Sequence, residues 1–244
     1  MKEVVIQSPL DIHKYFTTSR TDHGFSWWFR GQANADWDIL PKAYRDGYYI
    51  DNGFDLRQFK IWKRKALAYL SDLPNNEWEC LALSQHHGLA TRLLDWTGNP
   101  LVATYFAVSE LNNADGAVYL YQPLRMLRPD ESKISDLEQG VGFIPSPISP
   151  RILNQRGYLT IHSVHPEPPI HTTTNNFMKI IIPARMKREL RFHLEAYGID
   201  SSYIFPDLNG LSDFINSHTE KLSSIARQHT SQHPTFTRYL DKGW

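Results

Sequence analysis

The chain has one cysteine, Cys80, in 244 residues, so no intramolecular disulfide can form and a reducing compartment is expected. It has no surplus of either charge. Its 26 Lys and Arg balance 26 Asp and Glu, so net charge does not indicate nucleic acid as a partner. No apolar run is long enough to span a bilayer, and Met1-Lys2-Glu3 leads directly into a strand-like segment rather than an apolar leader. The expectation is a cytoplasmic protein with no membrane contact. Glycine-rich phosphate loops and dinucleotide fingerprints are missing, and so is a Gly-x-Ser-x-Gly elbow. Acids are not clustered. Asp95, Glu167 and Asp207 stand apart, which leaves a metal-dependent nuclease as a third reading only. Among eleven histidines, His162, His165 and His171 lie close together, but they lack the helical spacing or cysteine partners of a zinc site, and no metal is expected. Cys80 falls on the apolar side of a helix and does not fit a nucleophile.

What is present is an ordinary globular composition, 41% hydrophobic and 21% charged, with 13% aromatics and seven Trp. Strands are expected over Val4–Ile6, Phe25–Phe29, Ala117–Tyr121, Gln155–His162 and Phe177–Ile182. Helices are expected over Pro9–Phe16, Asp55–Leu73, Glu77–Gln85, after Pro100, after Pro183 and after Asp207. Asn76 with Glu79 reads as a capping box. Gly140–Pro150 reads as a loop, and Ser202–Phe205 as a short extended piece. Leu208, Leu211, Phe214 and Ile215 are expected to face inward. Helix and strand patterns do not alternate strictly, and no repeat or linker appears. The expected fold is therefore a single α+β domain of mixed or antiparallel strands with packed helices over 1–222, followed by a polar C-terminal tail over 223–244.

The stretch Gln85 to Val108 concentrates polar chemistry. Gln85-His86-His87-Gly88 closes one helix, with Gly88 in the usual left-handed position. The two histidines in that last turn can bind a ligand or cap carbonyls, and the helix's negative end favours a protonated ring. Asn99 can cap the next helix, with Pro100 at its first position. Asp95-Trp96-Thr97 is then expected on the turn feeding that helix, as a site or as a local structural turn. Earlier, Arg30-Gly31-Gln32 ends an aromatic strand. A guanidinium there suits phosphate, or it pairs with a core carboxylate such as Asp95. Arg30, Gln85, His87, Arg92, Asp95 and Thr97 are expected to converge on one cleft. Arg92 is the structural member, paired with a buried acid.

Phe29-Arg30-Gly31, Gln85-His86-His87-Gly88 and Thr91-Arg92-Leu93-Leu94-Asp95-Trp96-Thr97, in that order, resemble the FRG domain, named for its Phe-Arg-Gly motif. The resemblance extends through most of the chain, from the Arg30 strand to the last helix, and suggests a prokaryotic or phage source. The layout is also similar to the ADP-ribosyltransferase fold. There an Arg-Gly pair, a Ser-Thr-Ser turn before a helix and a Glu opening a later strand form the site. Arg30-Gly31 stands at the first place and Asp95-Trp96-Thr97 at the second. Gln155 stands at the third, because the chain's only Glu-x-Glu, Glu77-Trp78-Glu79, lies too early.

The resemblance implies an NAD- or nucleotide-binding domain that transfers ADP-ribose to a macromolecular acceptor, as a toxin or phage-conflict effector. Arg30, Gly31, Gln32, Gln85, His86, His87, Trp96 and Thr97 would bind the nucleotide. Arg30 would hold its pyrophosphate or ribose, Thr97 the nicotinamide ribose, and Trp96 would wall the nicotinamide. Asp95, Gln155 and Glu167 are the candidate catalytic residues. A non-catalytic nucleotide- or protein-recognition module is the alternative.

Overall fold

The computed structural model describes residues 2–18, 27–50, 53–123, 125–130, 132–134, 141–147, 149–162 and 176–230. The chain divides into two compact units, Met1–Tyr197 and Gly198–Trp244. The first is built on one sheet. Its strands are β1 (Lys2–Val5), β2 (Trp28–Gln32), β3 (Leu93–Thr97), β4 (Gly116–Tyr121), β5 (Val141–Phe143), β6 (Gly157–Ile161) and β7 (Phe177–Ile182). They lie side by side as β1-β7-β4-β2-β3-β6-β5. β1 runs parallel to β7, and every other neighbouring pair is antiparallel. This is an α+β arrangement, as expected from the sequence, with a mixed sheet that is mostly antiparallel. The unit's helices are α1 (Asp11–Thr18), α2 (Phe54–Ala66), α3 (Glu77–His86), α4 (Pro100–Val108), α5 (Pro150–Gln155) and α6 (Ala184–Ala196). The second unit holds α7 (Ser201–Ile204) and α8 (Leu208–Thr230).

Successive side chains of a strand leave opposite faces of a sheet, and this splits the core in two. Leu93 joins Phe59, Trp78, Leu81, Phe143, Leu159 and Ile161 on the face covered by α2 and α3. Leu94 and Trp96 join Trp28, Ala117, Tyr119, Tyr121 and Phe177 on the other. α4 is buried almost all round, with Val102, Ala103, Ala107 and Val108 fully enclosed, as expected for a helix apolar on every side. It lies against β2 and β4 where two glycines leave room. A Cβ on Gly31 would sit 1.8 Å from the Ala103 carbonyl oxygen, and one on Gly116 would sit 2.3 Å from that of Ala107. Asn99 caps α4 by accepting from the Leu101 N–H at 3.0 Å, with Pro100 just inside, as its sequence suggests.

Two cations from α6 hold the chain where α4 ends. Lys187 is buried and donates to the carbonyls of Ala33, Glu110 and Leu111 at 2.6, 3.1 and 3.0 Å. Arg191 donates to the Val108 carbonyl at 2.7 Å. Burial lowers the pKa of Lys187, and the charge of Arg191 adds to the effect.

Several local expectations are corrected. Asp95-Trp96-Thr97 is not a turn but the second half of β3, and the turn is Gly98-Asn99. Leu93 and Leu94 are both buried, on opposite faces, so the strand shows no polar–apolar alternation. Gly140–Pro150 contains β5 and the start of α5, which Ser149 caps by accepting from the Ile152 N–H at 3.3 Å. Gln155 ends α5 rather than opening β6. α2 stops at Ala66, short of Leu73. The capping box is half made. Asn76 accepts from the Trp78 N–H at 2.8 Å, while Glu79 turns away to take the backbone N–H and hydroxyl of Ser146. Ser201–Ile204 is helical, with Asp200 accepting from the N–H groups of Ser202 and Tyr203 at 2.8 and 3.1 Å. On α8, Leu208, Leu211 and Ile215 are exposed rather than inward, and the helix continues through Ser223 to Thr230.

Candidate functional site

The sheet is least joined between β2 and β3. They share one Cα pair, Phe29 with Thr97, whereas every residue of β3 from Leu93 to Thr97 pairs with β6. A cleft of about 380 Å³ opens at this parting, between α3 and α4. Arg30 fills the gap. It donates to the backbone carbonyl of Asp95 at 2.7 Å, not to its carboxylate. Its Nε is buried and has no partner among the described residues. Burial pulls the Arg30 pKa down. The Asp95 charge opposes this, and the nearby Arg45 charge pulls it down further. Arg45 follows a short 3-10 turn, Lys42–Tyr44, and its Nε donates to the Leu40 carbonyl at 3.1 Å. A second cavity of about 580 Å³ shares Arg30, Gly31, Arg45 and Phe106 with the first, so the two are lobes meeting at a pair of guanidiniums. Among the described residues neither guanidinium has a carboxylate within ion-pair distance.

In the first lobe Asp95 is exposed and held in place. Gln85 donates to its Oδ1 at 2.6 Å, and the Thr91 hydroxyl donates to Gln85 Oε1. Asp95 is the one carboxylate lining this lobe among the described residues. His86 lines it too. Its pKa is lowered by burial, with the charges of Arg151 and His87 adding and Asp95 opposing. Burial thus works against the expected helix-end effect at His86. Arg151 and Tyr158 complete the wall from α5 and β6.

Arg30, Gly31, Gln85, His86, Asp95, Trp96, Thr97 and Gln155 all border this lobe, though from four separate segments. Their roles differ from those anticipated. Gly31 admits α4, since a Cβ there would meet the Ala103 carbonyl. The Thr97 hydroxyl donates to the Gln155 carbonyl and accepts from the Asn99 N–H at 3.0 Å, so its proton serves the strand end. The Trp96 ring belongs to the core. Its Nε1 donates to the Thr160 hydroxyl at 2.8 Å, and it packs 5.3 Å from Tyr121. Gln32 is buried and lines the second lobe instead. His87 is exposed outside the lining. Arg92 also stays outside. It is spent on Asp55, with Nε and a terminal nitrogen at 2.7 and 2.8 Å from the two carboxylate oxygens. Glu167 lies outside the described residues. Arg45, Arg151 and Tyr158 also line the first lobe and were not among the residues expected there. Arg45 sits in an irregular loop with no periodic signal. Arg151 follows a Ser-Pro helix start of the same kind as Asn99-Pro100.

Residues 25–116 match the FRG domain family. The match spans β2 to the start of β4, and so includes Arg30, Arg45, Gln85, His86 and Asp95. It does not reach the last helix. The far wall of the cleft, Arg151 and Tyr158, comes from beyond it. No curated protein and no solved structure matches the chain. Among the described residues no three His, Cys, Asp or Glu side chains are grouped to hold a metal, and no helix is long and apolar enough to cross a membrane.

Proposed function

We propose that this chain binds NAD across the two lobes and that its FRG domain supports transfer of ADP-ribose to a macromolecular acceptor, on a core of ADP-ribosyltransferase type. The carrying observation is the pair Arg30 and Arg45, two neighbouring cations at the waist of the cleft without a carboxylate partner among the described residues. Such a waist favours a compact anion between two bulkier groups, and a pyrophosphate between two nucleosides has that layout.

When bound, NAD supplies a glycosidic bond that breaks towards nicotinamide, leaving positive charge at the ribose carbon for an acceptor nucleophile to meet. The chain's own residues divide the remaining work. Arg30 and Arg45 hold the diphosphate. Asp95, fixed by Gln85, offsets the developing charge. His86, its pKa held down by burial, takes the acceptor's proton.

The test is nicotinamide release by the purified chain with cell extract as acceptor. Asp95→Asn should lower turnover by about 2.7–4 kcal/mol of barrier, or roughly 10²–10³-fold, while NAD affinity stays nearly intact. A second reading, a non-catalytic nucleotide-recognition module, is favoured by one observation. Gln155 lies on α5, and β6 (Gly-Tyr-Leu-Thr-Ile) carries no acid. Binding of NAD without any nicotinamide release by the unmodified chain would select it.

A further inference from the structure

We infer that the second lobe is the seat of an amino-bearing purine base, the adenine end of the ligand, which leaves the Asp95 lobe to the smaller ring. This rests on the dinucleotide reading above. The second lobe is the larger, about 580 Å³ against 380 Å³, and a purine is the larger of the two bases. Its floor holds Gln32, 5% exposed. Gln32 Nε2 donates to the Asp38 carbonyl at 3.2 Å, which fixes the orientation of the amide. Oε1 is then left as a buried acceptor with no partner among the described residues. A ligand N–H satisfies it, and the exocyclic amino group of adenine is such a donor.

The surroundings point the same way. Trp37 also lines the lobe and is 48% exposed, a flat apolar surface of the kind on which bases stack. Asp38, Asp46 and Glu110 line it as well, so beyond the two arginines it favours donors over further phosphate.

The experiment is calorimetric titration of the full chain with NAD, ADP-ribose, AMP, inosine monophosphate and nicotinamide mononucleotide. The unmodified chain should prefer AMP to inosine monophosphate, which has a carbonyl in place of the amino group. Trp37→Ala, at an exposed position, should weaken AMP and ADP-ribose by about tenfold or more and leave nicotinamide mononucleotide unchanged. Gln32→Met should remove the preference for AMP, with the melting temperature recorded to confirm folding. Equal losses for all ligands, no loss for any, or a loss confined to nicotinamide mononucleotide would overturn the assignment. If NAD binds but Trp37→Ala and Gln32→Met change nothing, the base seat fails and the dinucleotide reading stands. If AMP binds through Trp37 but NAD binds no tighter than AMP, the seat stands and the dinucleotide reading fails. If no nucleotide binds, both fail.

Discussion

Arg30 and Arg92 belong to neighbouring strand regions, and their guanidiniums do opposite work. Arg92 is enclosed with Asp55, their side chains 5% and 9% exposed. Burial opposes its charge, but the hydrogen bonds and charge of Asp55 outweigh that and raise its pKa. Arg92→Ala would strand a buried carboxylate and should cost about 3–5 kcal/mol, read as a large fall in melting temperature or denaturant midpoint. Arg30→Ala should cost far less in stability and more in NAD affinity. The reverse pattern would exchange their roles. A different residue-level consequence concerns alkali. Burial pushes the phenols of Tyr119 and Tyr121 up to about 12 from 10.0. Between these values the unfolded chain loses protons that the folded chain keeps. Stability should therefore fall as pH rises through that window, by about 1.4 kcal/mol per pH unit for each phenol. Equilibrium denaturation at pH 9.5 and 11 checks the sign. At this scale Arg30 was legible because an aromatic run ends at it and Gly31 follows. Arg45 was not, because proximity to Arg30 comes from a loop that returns across the sheet.

The seating of α4 shows what an element requires of its neighbour. Gly31→Ala puts a methyl where the Ala103 carbonyl oxygen already lies, so the helix or the strand must move. The expected loss is about 1–3 kcal/mol or more, as for overpacking, with disturbance of Arg30 beside it. Gly157→Ala, whose nearest neighbour would be 3.7 Å away, should be close to neutral, and urea titration of the two variants checks the contrast. Elements with local punctuation were legible. Asn99-Pro100 marks α4, and Gly88 ends the α3 segment with a φ of 91°. β3 was not, because a strand buried on both faces has no period of two to read. α5 was hidden for another reason. Its Ser149-Pro150 start lies in a run of Gly, Pro and Ser whose composition reads as loop.

For the whole molecule, strand order was beyond local pattern, since β1 pairs with β7 from the far part of the unit and β2 lies between β4 and β3. The cleft inherits that non-locality. Its lining spans residues from Phe29 to Leu159, so only the fold assembles it. Binding should therefore register as global stability. NAD at a hundredfold excess over its Kd should add about 2.7 kcal/mol. For a chain of this size that is a rise of about 5–11 °C in melting temperature. Differential scanning fluorimetry of the unmodified chain and of Arg30→Ala reads it. An unmoved transition in the unmodified chain would dismiss NAD.

The single rung between Phe29 and Thr97 gives the sheet an uneven mechanics. On one side β1, β7, β4 and β2 form a fully laced plate, and on the other β3, β6 and β5 form a second. Bending resistance in a sheet comes from its ladders, so compliance concentrates along this one seam. Besides that rung, α4 and the bond from Arg30 to the Asp95 carbonyl tie the two plates together. A molecule lodged across the seam acts as a rivet, joining the plates where the backbone leaves them open.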